Sequence, residues 1–168
     1  REKAECIVYP DRLVRKWENA TETFHMLDNL PIVHIGIDTD SEQASISIGL
    51  DHTLISDSYM KLVGIFFIPN EAPEARIMLA SDGDEGFLLI YGTEEECMDL
   101  YEEFHADETK LGRLTKERKD RIEALVTEYN PTKSNLPELD KALDWITITM
   151  DELITEQQGN GIYAGLPW

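Results

Sequence analysis

The sequence predicts an α+β fold, in which a mainly antiparallel sheet of five or six strands, with an N-terminal helix, precedes a C-terminal set of three helices. Short alternating or continuous apolar runs occupy residues 1–92, and apolar residues recur at helical spacing over residues 93–158. Short polar turns join the predicted strands, which favours antiparallel pairing between neighbours in the sequence.

The chain of 168 residues, of which 42% are hydrophobic, suits one domain with a core of its own. Within that domain, residues 1–92 are sheet-rich, residues 93–158 are helical, and residues 159–168 form a tail rich in glycine and aromatic side chains. Cys6 and Cys97 lie far apart and outside any metal-binding spacing. A disulfide framework is therefore not indicated, and we expect a cytoplasmic protein.

An N-terminal strand at residues 4–9 is followed by a predicted helix over residues 11–27. Asp11 is a suitable N-cap, and the apolar residues after it are spaced by four, three, four and three positions, as on one helical face. These apolar residues are Leu13, Trp17, Ala20, Phe24 and Leu27. The segment Asp-Asn-Leu-Pro at residues 28–31 ends this helix.

Strands are predicted next at residues 32–37 and 44–50, the second with strict alternation of apolar and small polar residues. The run at residues 62–68 is apolar except for one glycine, which is typical of a central strand covered on both faces. Residues 76–80 and 87–91 flank a turn that contains two glycines, and this arrangement predicts a hairpin.

Three helices are predicted after the sheet. Thr93 can cap the first helix, and Glu96, three residues later, completes a capping box. A second helix is predicted from Thr115. The third begins near Leu136, because Pro137 suits the first position of a helix.

Negative charge dominates the chain, which has 34 acidic and 15 basic residues and a net charge of −19. Residues 17–109 hold 21 acids and only two bases, Lys61 and Arg76, whereas residues 110–121 hold six bases and two acids. A field of this sign repels nucleic acid and anionic membranes, and it attracts basic proteins. We therefore expect a basic protein partner, no direct nucleic-acid binding and no membrane association.

The first predicted C-terminal helix carries a row of carboxylates on one face. At 100° per residue they fall in one sector, opposite the apolar face of the helix. They are Glu95, Glu96, Asp99, Glu102 and Glu103. Like charges on adjacent turns cost about 0.2–0.5 kcal/mol a pair, so the row could serve to imitate DNA phosphates or to bind Lys and Arg side chains of a partner. The alternative is a solvated face, or one neutralised by the basic residues 110–121.

Two acidic turns are the second feature. One contains Asp38, Asp40 and Glu42, and the other contains Asp82, Asp84 and Glu85, which we include among the expected partner-binding residues. Neither turn has the length or the final glutamate of an EF-hand loop, and hairpin turns require the same residue types. We therefore expect no metal and no cofactor.

No catalytic motif is present. The four histidines are scattered, and no Walker loop, GxSxG, GxGxxG or HExxH sequence occurs. An enzyme is consequently the less favoured interpretation, although a site could be assembled from distant residues.

The leading hypothesis is an acidic inhibitor or antagonist, of the immunity-protein or anti-defence type, that occludes a nuclease, a toxin or another nucleic-acid-binding protein. One alternative is a small-ligand or nucleotide-binding sensor or enzyme, with a pocket between the sheet and the helices. A second alternative is a structural or assembly subunit that oligomerises through the tail. Adaptation to a high-salt cytoplasm would also explain the charge without any partner.

Overall fold

A computed structural model describes residues 3–39, 51, 53–83, 86–155 and 161–162 of the chain. The elements follow one another as ten strands and three helices within these residues. The strands are β1 Glu5–Val8, β2 Arg12–Lys16, β3 Ala20–Met26, β4 Ile32–Thr39, β5 Ile55–Lys61, β6 Gly64–Pro69, β7 Arg76–Ser81, β8 Gly86–Gly92, β9 Ile154–Thr155 and β10 Gly161–Ile162. The helices are α1 Glu94–Ala106, α2 Lys110–Tyr129 and α3 Pro137–Glu152.

The first eight strands form one sheet in the order β1-β2-β3-β4-β8-β7-β6-β5, and β9 pairs with β10 in a separate ribbon. Every pairing in the large sheet is antiparallel. The predicted α+β class and the antiparallel sheet are thus confirmed. The predicted count of five or six strands is wrong, because the large sheet has eight.

The predicted N-terminal helix is also wrong, since β2 and β3 form a hairpin in its place. Leu13 and Phe24 are cross-strand partners, so their side chains lie on the same face of the hairpin. A helix would also place them on one face. The amide of Trp17 donates to the carbonyl of Ala20 at 2.8 Å and closes the turn. Alternating β-branched threonines in β3 favour the extended conformation, and the sheet neighbours on both sides of this strand outweigh the local helical spacing.

The strand at residues 32–37 and the hairpin of residues 76–80 and 87–91 are confirmed by β4, β7 and β8. The run at residues 62–68 becomes β6, which lies one strand in from the sheet edge, and Leu62 is fully exposed in the preceding turn. The edge strand β5 was not predicted, because its sequence ISDSYMK is largely polar. The predicted strand at residues 44–50 lies outside the described residues.

Capping residues in the sequence predicted the first residues of α1 and α3 correctly. Thr93 and Glu96 form the predicted capping box of α1. The third helix begins at Pro137, with Leu136 at its N-cap, as predicted. Helix α2 begins five residues before Thr115, at Lys110, where the Asp107 side chain accepts from the amide of Thr109 and organises the preceding turn.

The chain divides into two compact units, Arg1–Lys116 and Glu117–Trp168. In the first unit, the cross-strand neighbours Ile32, Ile90, Met78 and Phe66 run across four strands on one face of the sheet. Cys97 and Phe104 of α1 join them in a single apolar core. Phe67 is also buried although it points to the opposite face, so both faces of β6 are covered.

The second unit contains the C-terminal part of α2 together with α3. Ile122 and Ile148 are its buried apolar side chains among the described residues. Arg118 pairs with Glu152 at 3.2 Å, and Arg121 pairs with Asp151, so ion pairs link the two helices. The expectation of a single domain stays a prediction.

Gly64 of β6 provides a test of the sheet packing. A Cβ atom at this position would overlap with the carbonyl of Leu79 in β7 and lie 3.3 Å from Cα of Ala80. We expect Gly64→Ala to lower the free energy of unfolding by about 1–3 kcal/mol, as overpacking does elsewhere. The measurement is urea denaturation of the full chain.

Gly112 in α2 is the matched control, since a Cβ there meets nothing within 4 Å. Gly112→Ala should raise stability by about 1 kcal/mol through helix propensity. Equal effects of the two substitutions would contradict the close approach of β6 and β7.

Candidate functional site

Helix α1 presents its carboxylates on a well-defined frame. The amide of Glu96 donates to Oγ1 of Thr93, while the amide of Thr93 donates to the Glu96 carboxylate at 2.7 Å. The hydrogen bonds from Thr93 hold the pKa of Glu96 below its usual range. All five carboxylates of the predicted row are exposed, namely Glu95, Glu96, Asp99, Glu102 and Glu103. The predicted row therefore exists as a solvent-facing feature of α1.

The N-terminus of α1 is tied to the sheet by a charged cluster. The hydroxyl of Tyr59 and the ammonium of Lys61 both donate to the carboxylate of Glu94. Arg76 donates through Nε to the Tyr59 hydroxyl at 3.0 Å. The hydrogen bond from Lys61, followed by that from Tyr59, lowers the pKa of Glu94. Lys61 and Arg76 are the two bases of residues 17–109, so this single cluster engages both of them.

A second cation meets α1 near its other end. Lys110 is buried, pairs with Glu103, and holds its ammonium 4.7 Å from the ring centre of Phe104. Further along the basic segment, Arg118 and Arg121 pair with acids of α3 in the second unit, and Lys119 pairs with Glu123. These residues therefore compensate charges of the second unit.

The middle of the row keeps its negative charge. The carboxylates of Glu95, Asp99 and Glu102 are exposed and form no ion pair with any residue that the structure describes. Their offsets of four and three residues place them within about 60° of one another around the helix. Ion pairs within the molecule thus neutralise the charges of Glu94 and Glu103 and leave an anionic strip between them. We call this strip, which consists of Glu95, Asp99 and Glu102, the α1 strip.

The acidic turn after β7 is arranged differently. Asp82 is half-buried, and its Oδ2 lies 2.8 Å from Nε2 of His34 on β4. Because a carboxylate only accepts hydrogen bonds, we place the proton of this bond on Nε2. The side chains of His34 and Asp82 are 13% and 11% exposed, respectively. Asp84 and Glu85, like Asp40 and Glu42 of the other acidic turn, lie outside the described residues.

The two ring nitrogens of His34 have different surroundings. Nε2 lies next to Oδ2 of Asp82, whereas Nδ1 is buried and has no hydrogen-bond partner among the described residues. The hydrogen bond from Nε2 fixes the position of the Asp82 carboxylate.

Gly86 makes room for this pair. A Cβ atom at Gly86 would overlap with Oδ2 of Asp82 and lie 2.9 Å from Nε2 of His34. On the other side of His34, the ring of His25 stacks at a centroid distance of 6.1 Å. Burial lowers the pKa of His25, the neighbouring His34 and Arg12 act in the same direction, and Asp11 opposes them.

Asp82 also lines a pocket of about 180 Å³ between the sheet and the helices of the first unit. Leu88, Phe104 and Leu111 supply apolar surface to the lining. The polar part of the lining consists of Ser81, Asp82, Gly83, Tyr101, His105 and Glu108. The rings of Tyr101 and His105 stack on each other at 5.6 Å. The pocket can therefore surround a small group with ring faces and two carboxylates.

Sequence reasoning offered a pocket between the sheet and the helices only as an alternative, and of the lining residues it named only Asp82 as a site residue. His34 and Asp82 are 48 residues apart and become neighbours only through the pairing of β4 with β8 and of β8 with β7. Tyr101 and His105 did carry a signal, because they are one helical turn apart on the predicted first C-terminal helix. Glu108 lies in the connection after α1 and had no distinguishing pattern.

No cluster of three or more His, Cys, Asp or Glu side chains suited to a metal ion occurs among the described residues. No described helix is long and apolar enough to cross a membrane. Comparison of the chain with protein-family models, curated proteins and solved structures found no match.

The lowered pKa of His25 makes a prediction about stability. In the unfolded chain the imidazole has its ordinary pKa of 6.5, so below that pH the unfolded state binds more protons than the folded state. The folded state therefore loses stability as the pH falls from about 6.5 toward the lowered pKa. We expect His25→Gln to lose less free energy of unfolding than the wild type between about pH 7.5 and about pH 5.

Urea denaturation at the two pH values measures this difference. His105→Gln, which removes an exposed histidine outside the His25–His34 stack, is the matched control. An identical pH dependence of the wild type and His25→Gln would show that the environment of His25 does not oppose its protonation.

Proposed function

We propose that this protein is an acidic inhibitor that binds and occludes the basic surface of a nucleic-acid-processing protein, of the immunity-protein or anti-defence type. The observation that carries the proposal is the α1 strip, in which three neighbouring carboxylates stay exposed without an ion-pair partner among the described residues. The two bases that pair with carboxylates of α1 do so outside the strip, since Lys61 pairs with Glu94 and Lys110 pairs with Glu103.

Rigidity of α1 supports a binding role for the strip. The helix begins in a capping box, is tied at Glu94 to β5, and buries Cys97 and Phe104 in the core. A binding surface that is already ordered loses little conformational entropy when a partner docks, so more of the interaction energy appears as affinity. The carboxylates of the α1 strip stand on such a surface.

The charge density of α1 supports imitation of a nucleic acid. With Glu103 compensated by Lys110, four charges of the predicted row remain, from Glu95 to Glu102, and these two residues are about 10.5 Å apart along the helix axis. The average interval is about 3.5 Å, which is close to the 3.4 Å per charge of one DNA strand. Electrostatic attraction at this density accelerates encounter with a basic surface, and salt weakens it.

Charge reversal of the α1 strip tests the proposal. The variant Glu95→Lys, Asp99→Lys, Glu102→Lys changes the net charge by six units and touches no described ion pair. Purified full-length chain is immobilised, basic proteins are captured from a lysate of the native host, and competing double-stranded DNA is then added. We expect the wild type to retain a nucleic-acid-binding protein and DNA to displace that protein. The variant should bind the same protein with an affinity at least about tenfold lower, because the charges that attract it are reversed.

The matched control reverses three exposed acids away from α1, in the variant Glu18→Lys, Glu71→Lys, Glu74→Lys. It has the same net charge as the strip variant and should keep the partner. Equal losses in the two variants would mean that net charge alone attracts the partner. Retention of full affinity by the strip variant would overturn the proposed interface.

A further inference from the structure

We propose that the pocket beside Asp82 binds a single guanidinium or ammonium group. The pocket belongs to the first unit and uses Tyr101, Phe104 and His105, which lie on a different face of α1 from the α1 strip. The inference stands on the pocket's own chemistry and does not depend on the proposed inhibitor function.

The size of the pocket limits its ligand to a small group. Its volume of about 180 Å³ is comparable with an apolar cavity of about 150 Å³ that accommodates benzene in another protein. Leu88, Phe104 and Leu111 give it an apolar part, which suits the methylene stem of a long basic side chain or of a small amine. A whole nucleotide would exceed this space.

The charge of the lining selects a cation. Asp82 and Glu108 both line the pocket, and Lys and Arg are absent from the described residues that form it. Two carboxylates repel a phosphate or carboxylate ligand, and they attract a group with several N–H donors. The nearby Lys110 is not among the lining residues, and its ammonium is bound by Glu103.

The Asp82 carboxylate is held in a fixed position for such a ligand. Its Oδ2 receives the hydrogen bond of His34 at 2.8 Å, and Gly86 leaves the space that this contact needs. A carboxylate has about four acceptor sites, so it can accept several hydrogen bonds at once. A preordered acceptor costs little entropy on binding, which strengthens each hydrogen bond that the ligand makes.

Ring surfaces complete the recognition. Tyr101 and Phe104 both contribute to the wall, and aromatic faces attract Arg and Lys cations within about 6 Å of the ring centre. The ring of Phe104 already contacts the ammonium of Lys110 in this way, at 4.7 Å. A lining that contains both aromatic rings and carboxylates is the combination that guanidinium groups bind through stacking and paired hydrogen bonds.

Nα-acetyl-arginine amide is the probe for this site, and Nα-acetyl-citrulline amide is its uncharged counterpart of nearly the same shape. Isothermal titration of the full chain should show binding of the arginine compound and at least about tenfold weaker binding of the citrulline compound, because the charge is lost. Glu108→Gln and Asp82→Asn should each weaken arginine binding by about tenfold or more.

Glu102→Gln is the matched control, since it removes one exposed carboxylate of α1 that does not line the pocket. Binding of the arginine compound should be unchanged in this variant. If Asp82→Asn unfolds, Glu108→Gln still tests the role of the carboxylates, because Glu108 is exposed and forms no described ion pair. Equal binding of the two compounds, or unchanged binding in Glu108→Gln, would overturn the inference.

Two further ligands distinguish a free small molecule from the side chain of a partner protein as the natural ligand of the pocket. Agmatine represents a free small guanidine, and a glycine-flanked arginine peptide represents a side chain of a protein partner. Tighter binding of agmatine identifies a small-molecule site, whereas equal or tighter binding of the peptide identifies a site for a partner's arginine. Binding of neither ligand contradicts the proposal, and that failure is separate from the outcome of reversing the α1 strip.

Discussion

The packing of α1 against β7 and β8 is the constraint on which the rest of the first unit depends. Cys97 is 0% exposed, and its Sγ lies 3.7 Å from the carbonyl of Ile90, so a small side chain brings the helix close to the sheet. Burial raises the pKa of the Cys97 thiol, which keeps it protonated and unreactive. Once α1 is docked through Cys97 and Phe104, its carboxylates face solvent on one side, and Tyr101 faces the pocket on another.

The distribution of cations explains why an acidic strip persists on a stable helix. Lys61 and Lys110 bind Glu94 and Glu103, where they also secure α1 to β5 and to the start of α2. Further bases of α2 bind acids of α3 within the second unit. Cations in these positions link helices and strands to one another. The exposed carboxylates at the centre of α1 therefore continue to repel one another. Positive charge brought near the strip relieves such repulsion, and this effect weakens as salt is added.

Features set by neighbours in the sequence were predictable, and features set by sheet register were not. The start of α1 follows from Thr93 and Glu96, since their capping box forms within four residues. The segment 11–27 has helical spacing too, but the pairing of Leu13 with Phe24 gives a hairpin the same apolar side, and pattern alone cannot separate the two. Contact between His34 and Asp82 depends on the register of three strands, which no local pattern encodes.

The arrangement around His34 fixes one carboxylate in the first unit. His34 lies two residues after the buried Ile32 on the same face of β4, so a polar ring follows an apolar side chain there. Its Nε2 lies next to Oδ2 of Asp82, and Gly86 leaves the space that this contact needs, although glycine weakens a strand. Both features have one local consequence, namely that the Asp82 carboxylate is held where it lines the pocket.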